Sequence, residues 1–403
     1  MSTSLAAETG AAPAENELLD RARSLRAVLA EGARDTEIAG RVTEESTRLI
    51  REAGLHRLCQ PRRFGGFETT PTTWLKVGFE LGRACPSTGW AVLVGNSCSW
   101  FASYWPLEVQ EEIWGVSPDN TVCLSGIPTG KAYEVDGGYE ISGSWGYSSN
   151  SDNADWAMVS AVTKVDGTPA TTWFMVEMKD LEIDQESWKV AGLAGTGSKT
   201  LIRKEPLFVP RRRVVRVDDI TRGTAPGHQV SDNGMAQWNF STLGGVTLVA
   251  PLLGAAQGAL DWFAESMRTK IKTSLKAGTA APASASPFVQ VRIGEASARI
   301  DAALALLMQG LETHEAKVLA GEAVTVAERV RLRRDVAFAT RQAIEAVTIL
   351  VEGASASATA LNVPLQRYWR DVVAGTRHVT LDVEGIYTMF GQEQLGLEPI
   401  GPH

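Results

Sequence analysis

The stretch Ser144-Trp145-Gly146-Tyr147-Ser148-Ser149-Asn150 sets two aromatic residues two positions apart and follows them with paired hydroxyls, ahead of an apolar run over 154–162. A period of two belongs to a β-strand, in which alternate side chains share a face. Aromatic and small polar side chains alternating at a strand end suit a flat ring that needs one face covered and one edge nitrogen hydrogen-bonded. Read alone, the pattern equally fits a β-hairpin with ordinary core aromatics. Just upstream, Val135-Asp136-Gly137-Gly138-Tyr139 is a hairpin signal leading into a strand over 139–147.

Outward from this strand the alternating period continues at 157–162, 172–176 and 200–209, predicting a β-domain over 119–220. Both flanks are helical in pattern. Leu18, Ala22, Leu25, Val28 and Leu29 recur at helical spacing, a second run covers 38–53 and is closed by Gly54, and Thr70-Pro71 opens another helix. After about residue 237 the helical period returns, with Val336, Thr340, Ile344, Val347 and Val351 as one stripe. Residues 240–260 carry no charge, but Gly244, Gly245, Pro251, Gly254 and Gly258 interrupt them, which suits a helix inside a bundle better than a membrane span. The Gly/Ala/Pro/Ser stretch 277–286 reads as a flexible loop. The division is a loose tail over 1–16, an N-terminal helical domain over 17–118, the β-domain, and a C-terminal helical bundle over 235–403: an α+β fold.

Composition narrows the function classes. At 403 residues with 44% hydrophobic and 21% charged residues, the chain is an ordinary globular protein. A net charge of -8 argues against nucleic acid as a partner. The run Arg211-Arg212-Arg213 reads as a solvated face. Cys59, Cys85, Cys98 and Cys123 are scattered without metal-ligand spacing, so no metal site is expected, and their scarcity fits a reducing cytoplasm. No Gly-x-Gly-x-x-Gly follows a strand, so a Rossmann nicotinamide site is not expected.

Three further motifs accompany the first stretch: Arg83-Ala84-Cys85-Pro86-Ser87-Thr88-Gly89-Trp90, Gly192-Leu193-Ala194-Gly195-Thr196-Gly197-Ser198, and Arg377-His378. In this order, over about residues 49–399, the chain resembles the oxygenase components of two-component, reduced-flavin-dependent (group D) monooxygenases, which are built on the acyl-CoA dehydrogenase fold. The resemblance implies an N-terminal helical domain, a middle β-domain and a C-terminal four-helix bundle. It also implies an enzyme that takes reduced flavin (FMNH2 or FADH2) from a separate NAD(P)H-dependent reductase, adds O2 at the flavin C4a carbon, and hydroxylates an aromatic or heteroaromatic small molecule. A homotetramer is implied as well.

The site residues follow from that resemblance. Ser149 occupies the place of the hydroxyl that holds flavin N5, with Tyr147 at the position that covers the ring. Neighbouring strand residues face opposite ways, so only one of Ser148 and Ser149 should reach the ring. Ser125 and Trp188 match positions that contact flavin, and Ser125 equally fits a turn serine, as Trp188 equally fits a core tryptophan. Arg268, with Lys270 and Lys272, and Gly391 are weaker cofactor candidates; cations closing a helix also offset its dipole with no ligand present. His378 falls where dehydrogenases of this fold carry their catalytic glutamate, exchanging a strong base for a group that titrates near neutrality. A histidine that the family often carries after Ser-Thr-Gly-Trp is missing, leaving Asn96, Ser97 and Trp100 as candidates for the substrate pocket. Ala194 replaces the family's usual arginine. The competing functions are an acyl-CoA dehydrogenase, against which His378 speaks, an N-hydroxylating flavin monooxygenase, and a non-catalytic binding module of the same fold.

Overall fold

The computed structural model describes residues 12–165, 167–230, 238–273 and 280–403, the side chains of Val165, Lys272 and Thr273 excepted. The N-terminal helices are α1 (Glu15–Ser24), α2 (Arg26–Glu31), α3 (Ala33–Ala39), α4 (Glu44–Glu52), α5 (Pro71–Ala84), α6 (Pro86–Ala102) and α7 (Leu107–Trp114). Prolines open α5 and α6 at positions whose N–H would have no helical acceptor. Helix α1 begins inside the stretch read as a loose tail, of which residues 1–11 lie outside the described residues. Gly40, at φ 60, splits the single helix read over 38–53 into α3 and α4, leaving Ile38 72% exposed. Gly54, at φ 72, ends α4 as the sequence predicts. Trp74, Trp100, Trp105 and Trp114 are fully buried between these helices.

The β-domain consists of β1 (Val122–Leu124), β2 (Lys131–Val135), β3 (Gly138–Ser148), β4 (Trp156–Val165), β5 (Thr168–Glu177), β6 (Glu182–Asp184), β7 (Lys199–Pro210) and β8 (Val214–Arg216). They form two sheets ordered β1-β4-β5-β8 and β2-β3-β7-β6, with β1 parallel to β4 and the other pairs antiparallel. Tyr139, Ile141 and Trp145 of β3 point inward against Val159, Phe174 and Leu201, but the aromatic pair on which the period of two is read does not share a face, since Trp145 is buried and Tyr147 exposed. The indole Nε1 of Trp145 donates to the Ser160 carbonyl at 2.8 Å, which ties one sheet to the other. The arginine run is not simply solvated: Arg211 pairs with Glu134, Arg212 with Glu112, and Arg213 packs over Trp156 while pairing with Glu112 and Glu177.

After α8 (Val217–Thr221), the bundle is built from α9 (Phe240–Thr269), α10 (Pro287–Leu319), α11 (Val326–Gly353), α12 (Pro364–Gly375) and α13 (Val383–Gln394). Asn239 caps α9 by accepting from the Thr242 N–H at 2.9 Å, and Thr325 with Glu328 forms a capping box on α11. Helix α9 is long and apolar enough by composition to cross a membrane, yet 89% of its most apolar window is buried inside the fold. It crosses α5 closely: a Cβ on Gly254 would stand 2.0 Å from the Phe79 carbonyl oxygen, so only glycine permits the contact. The 277–286 segment is less loose than the sequence reading has it. Its residues 280–282 form β10 (Ala280–Pro282), paired with β9 (Ile271–Thr273), and Ala283 is buried; 277–279 lie outside the described residues. All four cysteines are free and buried. Burial raises each thiol above its ordinary range, Cys123 to about 12 and Cys59 and Cys98 well upward.

Candidate active site

The β3 strand does not run straight to its end. Its pairing with β7 shifts register between Trp145 and Ser148, and Tyr147 takes a left-handed φ of 61. A non-glycine residue held there costs on the order of 1–2 kcal/mol, and such strain persists where surrounding structure imposes it. The bulge reverses the simple alternation. Tyr147, which would otherwise follow Trp145 inward, is 69% exposed, and Ser148 turns into the core beside Cys123.

Ser148 and Ser149 are both buried but in different surroundings, Ser148 beside Cys123 and Ser149 against the Gly192–Ser198 segment. The Ser149 hydroxyl is buried and shares a 2.7 Å hydrogen bond with the Ser198 hydroxyl. Ser198 continues to Thr196 at 2.9 Å, and Thr196 donates to the Leu193 carbonyl at 2.8 Å. Lys199 and Asp152, whose side chains are both enclosed, pair at 2.7 Å and clamp the turn after β3 to the start of β7.

Leu193 is the junction of the site. Its carbonyl also accepts from Trp188 Nε1 at 3.3 Å, and its N–H donates to Asp371 Oδ1 at 2.6 Å. Trp188 meets Tyr147 edge to face at 6.0 Å. The neighbouring Gly192 has no room for a side chain, since a Cβ would lie 2.1 Å from the Arg370 carbonyl oxygen. Thus the Gly192–Ser198 motif packs directly on α12. Asp371 is fully buried; desolvation pushes its carboxyl up to about 7, against the bond from Leu193.

His378 follows one short turn beyond α12, and its N–H donates to the Gly375 carbonyl at 3.1 Å. It is not on a helix; it caps the 3-10 turn Val379–Leu381. Its Nδ1 accepts from the Thr380 N–H at 3.1 Å, which assigns the neutral tautomer with hydrogen on Nε2. Trp90 of α6 packs against the imidazole edge at 5.9 Å. The residue is exposed at the surface, and the protein packed around its imidazole holds it below the ordinary histidine range. Leu193 and Gly375 are packed together, so the hydroxyl chain, Trp188 and the His378 turn belong to one structure.

The other sequence-derived residues divide. Ser125 is buried and donates to the Gly146 carbonyl at 2.6 Å, holding the bulge beside Tyr147. Asn96 is no pocket donor in this fold. Its Oδ1 accepts from the Cys59 N–H and its Nδ2 donates to the Leu55 and Val92 carbonyls, which leaves it stapling α6 to the preceding loop. Ser97 spends its hydroxyl on the Leu93 carbonyl, and Trp100 is core, packed on Trp74, Phe101 and Tyr104. Arg268 ends α9 in an exposed pair with Glu265. It stands 24 residues along the helix from Gly244, the residue that approaches Thr380, which is about 36 Å of helix. Gly391 lies on α13, which packs against α11, and nothing comes within 4 Å of its Cβ position. Lys270 bonds Ser355, and the Lys272 side chain is outside the described residues. Within the chain, neither Arg268 nor Gly391 joins the site.

The residues missed by name are Trp90, Leu193, Thr196, Ser198 and Asp371. All but Asp371 stood inside the quoted motifs, and the hydroxyl spacing of Thr196 and Ser198 was the available signal. A flat ring with an N–H at its edge fits what is assembled here: exposed Tyr147 against half-buried Trp188, beside a buried hydroxyl chain whose protons run toward the Leu193 carbonyl and leave Ser149 an acceptor.

Comparison with known proteins gives the same answer. Models of the acyl-CoA dehydrogenase N-terminal and C-terminal domains match residues 13–113 and 246–383. The chain is 35% identical to the oxygenase subunit HsaA of a flavin-dependent monooxygenase from Rhodococcus jostii, over 94% of this chain and 98% of that one. It is 32% identical to the oxygenase component of an FADH(2)-dependent resorcinol hydroxylase from a Rhizobium species, over 96% of each. The crystal structure of 3-HSA hydroxylase from Rhodococcus sp. RHA1 superposes with a TM-score of 0.88 at 34% identity, covering 96% of this chain and 98% of that one. With the fold, the motifs and this likeness over nearly its full length in agreement, the chain belongs to the oxygenase components of flavin-dependent monooxygenases built on the acyl-CoA dehydrogenase fold.

Proposed function

We propose that this oxygenase hydroxylates an aromatic small molecule at a site formed by the Ser149 hydroxyl chain, the Tyr147–Trp188 pair and His378. The observation that carries this reading is Leu193, which ties the hydroxyl chain and Trp188 to α12 and, through Gly375, to the His378 turn. When bound, reduced flavin supplies the two electrons with which O2 is divided between product and water. Ser149 would hold the ring-edge nitrogen, with Ser198 and Thr196 fixing the direction of its hydroxyl. Tyr147 and Trp188 would cover the ring, and Ser125 keeps Tyr147 in place through the Gly146 carbonyl.

His378 does its work through Nε2. With Nδ1 committed to the Thr380 N–H, the neutral imidazole presents an N–H and acts as a donor toward a substrate oxygen. Protonation of Nδ1 would set two donors against each other, and the partial desolvation of the ring by its neighbours also disfavours that charge. Depression of this group thus favours the donor form across neutral pH.

One relative bears on the ligands: the resorcinol hydroxylase, whose name specifies FADH(2) and a hydroxylated ring, favours FADH2 over FMNH2 and an oxygenated ring as substrate. An NAD(P)H-dependent reductase in the same cytoplasm would deliver the flavin. A homotetramer is supported by apolar surface that a copy would cover, including Phe288 and Val291 of α10 and Leu395 and Ile400 beyond α13.

The direct test supplies the chain with a flavin reductase, NADH, FAD and a phenol such as resorcinol under 18O2. One labelled oxygen in the ring product is expected; unlabelled product, or none across a panel of phenols, would overturn the reading. The Ser149→Ala variant is expected to bind reduced flavin within about threefold of the parent but to release several-fold more hydrogen peroxide per flavin oxidised. Unchanged coupling between flavin oxidation and product would remove Ser149 from the site.

A further inference from the structure

A cavity of about 840 Å³ lies at the N-terminal end of α9, bounded by the end of α8 with residues 222–229 and by the ends of α10 and α11 that face each other. That volume lies within the range of about 300–1,000 Å³ typical of small-molecule sites. Ile220, Trp238, Phe240, Leu243 and Val318 supply apolar wall.

Two residues lining this space each carry a buried nitrogen that lacks a partner among the described residues. His314 is 7% exposed; its Nδ1 donates to the Gly310 carbonyl at 2.8 Å, which leaves Nε2 as a buried acceptor with nothing to accept from. Arg329 spends Nη1 on the Val324 carbonyl at 2.9 Å, while its buried Nε has no acceptor and the guanidinium has no carboxylate partner among the described residues. Nearby acids are occupied or outlying: Glu328 is tied to Lys317 and the α11 cap, Asp218 pairs with Arg222, and Glu322 stands exposed at the rim. A cation partly withdrawn from water without a counterion is disfavoured, and a ligand that supplies one offsets that cost.

The position relative to the site gives the cavity its meaning. Thr242 and Leu243 line it, while the adjacent Gly244 faces Thr380, whose Cγ2 lies 3.9 Å from the Cβ position. Thr380 is the residue that orients His378. The cavity and the His378 turn therefore flank one turn of α9, about a helix diameter of 10 Å apart.

We propose that this cavity receives the remote end of an elongated aromatic substrate, and that Arg329 recognises a carboxylate there while His314 Nε2 accepts from a hydroxyl or bridging water. The inference rests on the function proposed above, because His378 defines where the reacting ring sits.

The experiment uses a matched pair of probes, 6-hydroxy-2-naphthoate and 2-naphthol, with the full chain in the absence of flavin. Quenching of tryptophan fluorescence should report binding of the carboxylate at least tenfold tighter than the alcohol, and Arg329→Met should reduce that preference to within about twofold. His314→Asn should weaken both probes. Equal affinity of the two probes for the parent protein would overturn the proposal even if the Arg329 variant fails to fold, as would an intact preference in a folded Arg329→Met. Carboxylate-selective binding without ring oxygenation in the complete system would leave the cavity standing and count against the function instead.

Discussion

Replacing His378 with alanine is expected to cut hydroxylated product by at least about a hundredfold, the lower end of what a positioned proton donor contributes. Reduced-flavin affinity should change little, since the hydroxyl chain and Trp188 reach the site from the β-domain rather than from this turn. The electrons then go to hydrogen peroxide, so product and peroxide measured together should exchange places while flavin oxidation continues. His378 also caps the turn at Val379–Leu381, and alanine removes that bond too. Asparagine separates the two roles, because its side-chain oxygen can still accept from the Thr380 N–H. If His378→Asn keeps most of the parent's product yield, the imidazole is a cap and nothing more.

The second large effect concerns stability. In the folded chain Asp371 holds its proton up to about pH 7, whereas in the unfolded chain it ionises near the usual carboxylate value. Between those values the unfolded state has released a proton that the native state retains, so raising the pH removes stability, and the loss is complete above about pH 7. The full span corresponds to about 4 kcal/mol. An asparagine side chain in its place would not titrate, and its oxygen can accept from the Leu193 N–H as the acid does. Asp371→Asn should therefore match the parent only at about pH 3.5, below the unfolded carboxylate value, and become the more stable of the two as pH rises to 8, as read from thermal melts at each pH. Parallel pH profiles for the two proteins would show that Asp371 is ionised throughout.

The fold was largely legible because its determinants are periodic. The Asp136-Gly137 hairpin, the proline that opens α5 and the stripe on α11 are local rules, and each lies where the sequence reading put it. The site was legible only where a motif held its members close in sequence. Ser149 and His378 were named, yet the residue that unites them is Leu193, an apolar side chain whose importance lies in its backbone groups. No composition or spacing announces that. Asn96 and Trp100 misled for the converse reason: their chemistry suited a pocket, and only the packing of α6 shows the amide satisfied by three backbone groups and the indole enclosed by rings. Tyr147 shows a third limit, since a one-residue bulge reverses which side chains face outward and leaves the residue list unchanged.

The burial of the four thiols has a bearing on the working life of the catalyst. An oxygenase that lets some of its reducing equivalents escape bathes itself in peroxide, and the form of cysteine that peroxide attacks is the exposed thiolate. Cys59, Cys85, Cys98 and Cys123 are all shielded and all disfavoured as anions. The chain is thereby built to tolerate its own leakage: sulfenic acid formation should be slow while the fold is intact, and sulfur oxidation should report unfolding rather than turnover.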